Sequence, residues 1–272
     1  MSLTRAVIIT GATATGKSTL AHSLCQKDDI LVNADSRQIY KYFNIGTAKP
    51  PLAQLRQYNY HLIDFLEPEA RYSAFCFYRD IGKILAANAG KRIFIVGGTQ
   101  FYINVLKQGL PPHAPVDWEI RAHYEKIYRE RGLSPLLAEL YAKDKSYYDT
   151  VDRSNHRRVV RALEYIKAAG KTFTSLRLKQ EPPRLKLLTF VVHTDRNILY
   201  RRIDERVERM IKAGLESEAR QLWSRYSGKN TAPFSSIGYK EWTDYFKQKC
   251  TREETVATIK KHTRRFAKQQ IT

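Results

Sequence analysis

Over the first hundred positions, apolar residues fall in short continuous runs separated by stretches of helical period. This is the pattern of parallel α/β units, whose strands are buried on both faces. Residues 6–10 (AVIIT), 30–35 (ILVNAD) and 93–96 (IFIV) read as strands, with 60–65 (YHLIDF) a weaker one. Helices are predicted over 74–89 and 101–107, the second stopping at Gly109 and Pro111-Pro112. From 113 to 184 the strand pattern vanishes. Several helices rich in Tyr, Arg and Lys are expected there, one with Ser134 as its N-cap and Pro135 in its first turn, with Glu181-Pro182-Pro183 closing the segment. Residues 185–192 (LKLLTFVV) return as a buried strand, followed by a helix over 196–212 that Gly214 ends, and by further helices to Thr272. The pattern predicts an α/β core with a parallel sheet, built from 1–112 and 185–272 and interrupted by an all-helical insertion at 113–184.

Charge changes this picture. Lys and Arg number 47 against 27 Asp and Glu, a formal net charge of +20 over 272 residues. Such an excess attracts polyanions. It gathers at Arg157-Arg158-Val159-Val160-Arg161, where Tyr165 shares a face with Arg158 and Arg161, and at 260–268, which holds Arg264, Arg265 and Lys268. An aromatic beside arginines can stack on a base, although solvated charge alone would give the same pattern. No run approaches the roughly 20 apolar residues of a membrane span, and the N-terminal run falls short of the roughly 7–15 of a signal peptide. Cys25, Cys76 and Cys250 are scattered, which argues against a zinc site or disulfide framework and fits the cytoplasm.

The sharpest chemistry follows the first strand. Gly11-Ala12-Thr13-Ala14-Thr15-Gly16-Lys17-Ser18 satisfies the phosphate-loop pattern G-x-x-x-x-G-K-[ST], making the core P-loop-like. Its backbone amides and the following helix N-terminus suit phosphate oxygens, Lys17 a terminal phosphate, and the Ser18 hydroxyl a magnesium ion. Asp35 closes the second strand on the same rim, placed either to accept a proton from a nucleophile or to cap a helix. Gly97-Gly98-Thr99 ends another strand, as a ligand-approaching turn or a plain strand-to-helix turn. In the 196–212 helix, Leu199, Ile203, Val207 and Met210 make an apolar stripe beside Arg202, Arg206 and Arg209, a set suited either to solvent or to clamping a diphosphate.

Taken together, GATATGKS (11–18), NADSRQIY (33–40), IGTAKP (45–50), HLID (61–64), VGGT (96–99), RRVVRALE (157–164), RIDER (202–206), IGYKE (237–241) and TRRFAKQQIT (263–272) resemble the tRNA dimethylallyltransferase family, in order and across nearly the whole chain. The resemblance implies a P-loop core with an inserted tRNA-binding helical domain, dimethylallyl diphosphate as donor, Mg2+ as cofactor, and the anticodon stem-loop of tRNA as partner of a monomer. By carry-over, Asp35 is the general base, and Thr13, Lys17, Ser18 and Arg206 hold the diphosphate. Thr99 and Arg121 border the reaction channel. Ser36, Arg37, Gln38, Arg157, Arg158, Val159, Val160, Arg161, Ile237, Gly238, Tyr239, Lys240, Arg264, Arg265 and Lys268 face the RNA. Gln100 and Gln269 stand where the family carries a small residue and an arginine, and relatives continue past Thr272 through a Trp and an Arg. An adenylate isopentenyltransferase, a small-molecule P-loop kinase and a noncatalytic RNA-binding NTPase are the alternatives; only the kinase must consume ATP to form its product.

Overall fold

A computed structural model of the protein describes residues 5–110, 117–177, 186–227, 229, 231 and 233–271. Two compact units make up the chain: Met1–Leu106 with Arg184–Thr272, and Lys107–Pro183. The first unit opens with β1 (Arg5–Thr10), α1 (Lys17–Leu24), β2 (Ile30–Asn33), α2 (Leu52–Gln57), β3 (Asn59–His61), α3 (Ala74–Ala87), β4 (Ile93–Val96) and the start of α4 (Gln100–Gln108). The helical unit therefore begins inside α4 rather than at His113. It holds α5 (Trp118–Arg131), α6 (Ser134–Lys143), α7 (Lys145–Thr150), α8 (His156–Ala169) and α9 (Phe173–Arg177). The chain then resumes the first unit with β5 (Lys186–Val191), α10 (Arg196–Lys212), α11 (Leu215–Tyr226), α12 (Trp242–Phe246) and α13 (Arg252–Ile271).

The strands form one parallel sheet in the order β3-β2-β4-β1-β5. The apolar runs predict this well where both faces are covered. All four residues of β2 and of β4 are buried, and Ile9, Leu31, Phe94 and Val96 pack with Ala21 of α1. Two expectations fail at the sheet edges. The weak strand is shorter and earlier than 60–65, ending at His61, after which Leu62 and Asp64 adopt positive φ. The strand expected to be buried at 185–192 is an edge strand: Leu188, Phe190 and Val191 are 57%, 50% and 68% exposed. A hydrophobic run does not reveal that a strand has only one neighbour, and here that neighbour is β1.

Side-chain caps fix several helix starts. Asp117, Asp144, Asn155 and Asp195 each accept backbone N–H bonds at the heads of α5, α7, α8 and α10. Ser134 lies inside α6, whose N-cap is Leu133, so it is not the cap expected there. Pro111-Pro112 and Glu181-Pro182-Pro183 lie outside the described residues. The helical unit closes on Tyr124, Leu136, Leu140, Tyr147, Val159, Val160 and Leu163. A second core in the first unit gathers Ile39, Tyr40 and Phe43 against Val207, Leu215, Tyr239 and Trp242. No helix among the described residues is long and apolar enough to cross a membrane.

Candidate active site

In the order β3-β2-β4-β1-β5, the chain leaves β1 and returns as β2 across the position filled by β4. Ligands of such sheets bind beyond the carboxyl ends of the strands at this crossing. The phosphate loop, Asp35 and the Gly97-Gly98-Thr99 turn follow β1, β2 and β4 at that end. Gly11 has φ of +143°, and a Cβ there would lie 2.4 Å from the Val192 carbonyl oxygen. Only glycine fits that seat. Ala14 and Gly16 also take positive φ, which curls the loop into the head of α1. Within the curl, the Thr15 hydroxyl and the Lys17 ammonium both donate to the Ala12 carbonyl, at 2.9 and 2.6 Å.

Asp35 caps no helix, since the next one, α2, begins only at Leu52. One carboxylate oxygen accepts the Arg37 N–H at 2.8 Å, stabilising the turn, while the residue lines the cleft with Lys17 and Arg206. Asn33 holds the strand end, accepting the Asp35 N–H and donating to the Asp35 and Leu62 carbonyls. The Thr99 hydroxyl accepts the Ser36 N–H at 3.0 Å, so the ends of β2 and β4 are tied beside Asp35. Arg202, Arg206 and Arg209 all line the cleft, and Arg206 donates to the Thr13 hydroxyl at 3.3 Å. Burial and the nearby Arg209 hold the Arg206 pKa below its ordinary value, with Asp35 opposing them.

Two cavities of the first unit meet at this point. The larger, about 1520 Å³, runs from Lys17 and Ser18 towards Tyr42, Leu52 and Phe266. The smaller, about 510 Å³, is lined by Ser36, Arg37, Thr99, Gln100, Ile237 and Gly238. Thr13, Asp35, Arg206 and Gln270 border both. An anionic group on one side and a nucleophile on the other would therefore meet across Asp35 and Arg206.

Lys17 carries a pH signature. Burial lowers its pKa from 10.5 to about 8, with Asp35 opposing and Arg206 reinforcing the shift. The charged form binds phosphate, so diphosphate affinity should be full below about pH 8 and fall as pH rises through it. Folding responds with the opposite sign. The unfolded chain holds the Lys17 proton more tightly, so stability should rise between about pH 8 and 10.5. Titration of inorganic diphosphate against pH, with thermal melts alongside, checks this; affinity unchanged to pH 9.5 would contradict it.

The remaining predicted residues divide by exposure. Arg157, Arg158, Lys240, Arg265 and Lys268 are exposed. Val159 and Val160 are fully buried, so their side chains serve the core of the helical unit rather than an RNA surface. Tyr239 is buried as well; its hydroxyl donates to Glu218 at 2.6 Å and accepts the Gly46 N–H at 2.9 Å. That bond joins the IGYKE and IGTAKP segments. Gln38 donates to the Thr47 and Ala48 carbonyls, bracing the same loop. Arg264 pairs with Asp204 at 2.5 Å. In the helical unit, Arg121 and Arg161 converge on the buried Glu164, at 3.1 and 2.5 Å. Tyr165, expected to be free for stacking, is buried against Leu176 and Phe173. Sequence reasoning missed Glu164, Glu218 and Gln270. Each has a partner that is distant in sequence or lies among otherwise unremarkable charges.

The sheet order, phosphate loop and strand-end carboxylate define a P-loop α/β protein built to hold a phosphorylated ligand beside a second cavity. The IPP transferase family model matches residues 38–272, and the chain belongs to that family. It is 35% identical to a tRNA dimethylallyltransferase of Chlorobium luteolum over 97% of this chain and 91% of that protein. It is 38% identical to one of Chlorobium phaeobacteroides over 98% and 85%. Among solved structures, the tRNA isopentenylpyrophosphate transferase of Bacillus halodurans matches with a TM-score of 0.66 at 31% identity, over 98% of this chain and 85% of that one. A eukaryotic dimethylallyltransferase acting on tRNA shares the fold at a TM-score of 0.84 and 24% identity, over 98% and 69%.

Proposed function

We propose that the protein transfers a dimethylallyl group from dimethylallyl diphosphate to N6 of the adenine next to the anticodon of tRNA, releasing diphosphate. The observation that carries this reading is the border shared by the two cavities. A carboxylate and an arginine stand between a phosphate-loop cleft and a second opening. The donor diphosphate rests on the loop amides, Lys17, Thr13 and Arg206, with its prenyl tail towards the shared border. The adenine enters the smaller cavity past Ser36, Arg37 and Thr99, flipped from its stack. An exocyclic amine is a weak nucleophile, so alignment contributes as much as deprotonation. Asp35 takes the amine proton as the new C–N bond forms and the allylic C–O bond breaks. The charge left on diphosphate is stabilised by Lys17 and Arg206.

Magnesium fits the residues present. The Ser18 hydroxyl and Asp35 carboxylate offer hard oxygens to the cleft, and no group of three His, Cys, Asp or Glu capable of caging a metal occurs among the described residues. That suits an ion held chiefly through diphosphate oxygens and water. When bound, it would neutralise charge on the departing diphosphate. The three cysteines are free thiols, in keeping with a cytoplasmic enzyme, which we take to act as a monomer.

Mass spectrometry of an unmodified anticodon stem-loop, incubated with the protein, Mg2+ and dimethylallyl diphosphate but no ATP, tests the reading. A gain of one prenyl unit on that adenine is expected. A requirement for ATP with ADP release would instead indicate a kinase, and an unmodified stem-loop with prenylation of AMP supplied in a parallel incubation would indicate an adenylate isopentenyltransferase.

The RNA surface should show itself in salt. Arg158 and Arg265 are exposed, unlike Arg161, which Glu164 engages. Each phosphate contact contributes about 0.7–0.9 to the log–log salt slope. Arg158→Ala with Arg265→Ala should weaken stem-loop binding and flatten the slope by roughly one to two, leaving affinity for inorganic diphosphate unchanged. Binding isotherms across a salt series check this, and an unaltered slope would remove both residues from the interface.

A further inference from the structure

Gln270, in the last turn of α13, reaches the centre of the site from the far end of the chain. Its Oε1 accepts the Thr13 N–H at 2.8 Å, across 257 residues of sequence. Its Nε2 donates to the Gly98 carbonyl at 2.9 Å. One amide thus spans the gap between the phosphate loop and the loop after β4, and the same side chain borders both cavities. Gly98 is shaped to receive it. A Cβ at Gly98 would lie 2.6 Å from Gln270 Nε2, with the Gly11 carbonyl oxygen next at 3.3 Å.

Beyond each end of this bridge lies a reacting partner. On one side, the Thr13 hydroxyl accepts from Arg206. On the other, the residue after Gly98 is Thr99. Its N–H donates to the Ala34 carbonyl at 3.2 Å, and its hydroxyl accepts the Ser36 N–H. Those contacts grip the peptide immediately before and immediately after Asp35. The bridge therefore runs from the arginine of the donor side to the backbone that aims the carboxylate.

We propose that Gln270 is a positioning residue that fixes the spacing between the donor's phosphate loop and the Asp35 turn, and so sets the alignment of the two substrates. A glutamine suits the task because it alone among side chains of its length offers an acceptor and a donor on one rigid plane. The inference rests on the proposed prenyl transfer for its kinetic readout but not for its structural one.

The kinetic test compares wild type with Gln270→Ala and Gln270→Met, using the stem-loop, dimethylallyl diphosphate and Mg2+. Loss of alignment should lower kcat about 10–100-fold in both variants. KM for each substrate should stay within about threefold, because neither the phosphate contacts nor the RNA surface is removed. The methionine variant fills the same space without either hydrogen bond. Wild-type turnover by it would reduce Gln270 to packing and overturn the proposal. So would a loss confined to KM.

The second test needs no turnover. The Gly98→Ala methyl collides with the Gln270 amide, so its cost in thermal stability and in affinity for inorganic diphosphate should largely vanish in the Gln270→Ala background. Strict additivity of the two substitutions would overturn the proposal. If wild type does not transfer prenyl groups, the functional reading fails while this coupling can still be measured.

Discussion

Asp35→Asn should lower the rate of prenyl transfer by about 10²–10⁴-fold, the usual cost of removing a general base. The amide keeps the size of the carboxylate and can still accept the Arg37 N–H that the Asp35 side chain engages at 2.8 Å. The turn is thus preserved, and the loss should fall on chemistry. Stem-loop affinity should remain near wild type, since none of the exposed basic residues depends on Asp35. One secondary effect needs control. The Asp35 charge raises the Lys17 pKa, against burial and Arg206, which lower it. Its removal would let Lys17 lose its proton at lower pH, so the comparison belongs well below pH 8. Single-turnover rates at saturating donor and stem-loop separate the two. Wild-type turnover by Asp35→Asn would exclude the general-base role, and a loss that vanished at saturating donor would make Asp35 a binding residue.

The legibility of this site in the sequence follows from its physics. Gly11–Ser18 and Asp35 could be read because they sit at the ends of strands buried on both faces, and such strands leave continuous apolar runs. Position along the strand then implied position on the rim. Arg206 was half legible: its spacing from Arg202 and Arg209 placed the three on one face, but solvent and ligand both accept such a face. All three line the cleft, but Arg202 and Arg209 are exposed to solvent, while Arg206 is half-buried and reaches the phosphate loop at Thr13. Residues chosen by likeness within a motif fared differently by side chain. In RRVVR, Arg157 and Arg158 are exposed, while Val159 and Val160 are core residues that shape the helix presenting them. Gln270 left no signal of its own beyond its place in the TRRFAKQQIT segment. It lies in a strongly polar helix, next to another glutamine, and its partner is at the opposite end of the chain. Edge effects were equally silent, as β5 shows: its apolar residues follow the rule for a buried strand, but only one side of it is paired.

Arg206 should carry the second large effect. It is half-buried, touches the Thr13 hydroxyl, and lies close enough to Asp35 and Lys17 for the three charges to influence one another. A preorganised cation at a leaving diphosphate costs nothing to reorganise when charge develops, and loss of one such donor typically lowers kcat by about 10²–10³-fold. Arg206→Ala should therefore reduce kcat/KM for dimethylallyl diphosphate by at least about 10²-fold. Lysine should restore only part of it, since a point charge lacks the planar fork. The substitution should also leave a trace in the pH profile. Arg206 is one of the causes that lower the Lys17 pKa to about 8. With that cation gone, Lys17 should hold its proton to higher pH, and the decline of kcat/KM on the alkaline side should move upward. A merely structural arginine would lower the whole profile without moving its alkaline limb. The decisive measurement is kcat/KM for the donor from pH 6.5 to 10 in wild type and Arg206→Ala. A depressed profile with its limb shifted upward supports a shared diphosphate clamp of Lys17 and Arg206. A profile lowered with its limb unmoved, or a defect confined to stem-loop affinity, would separate Arg206 from Lys17 and from the donor.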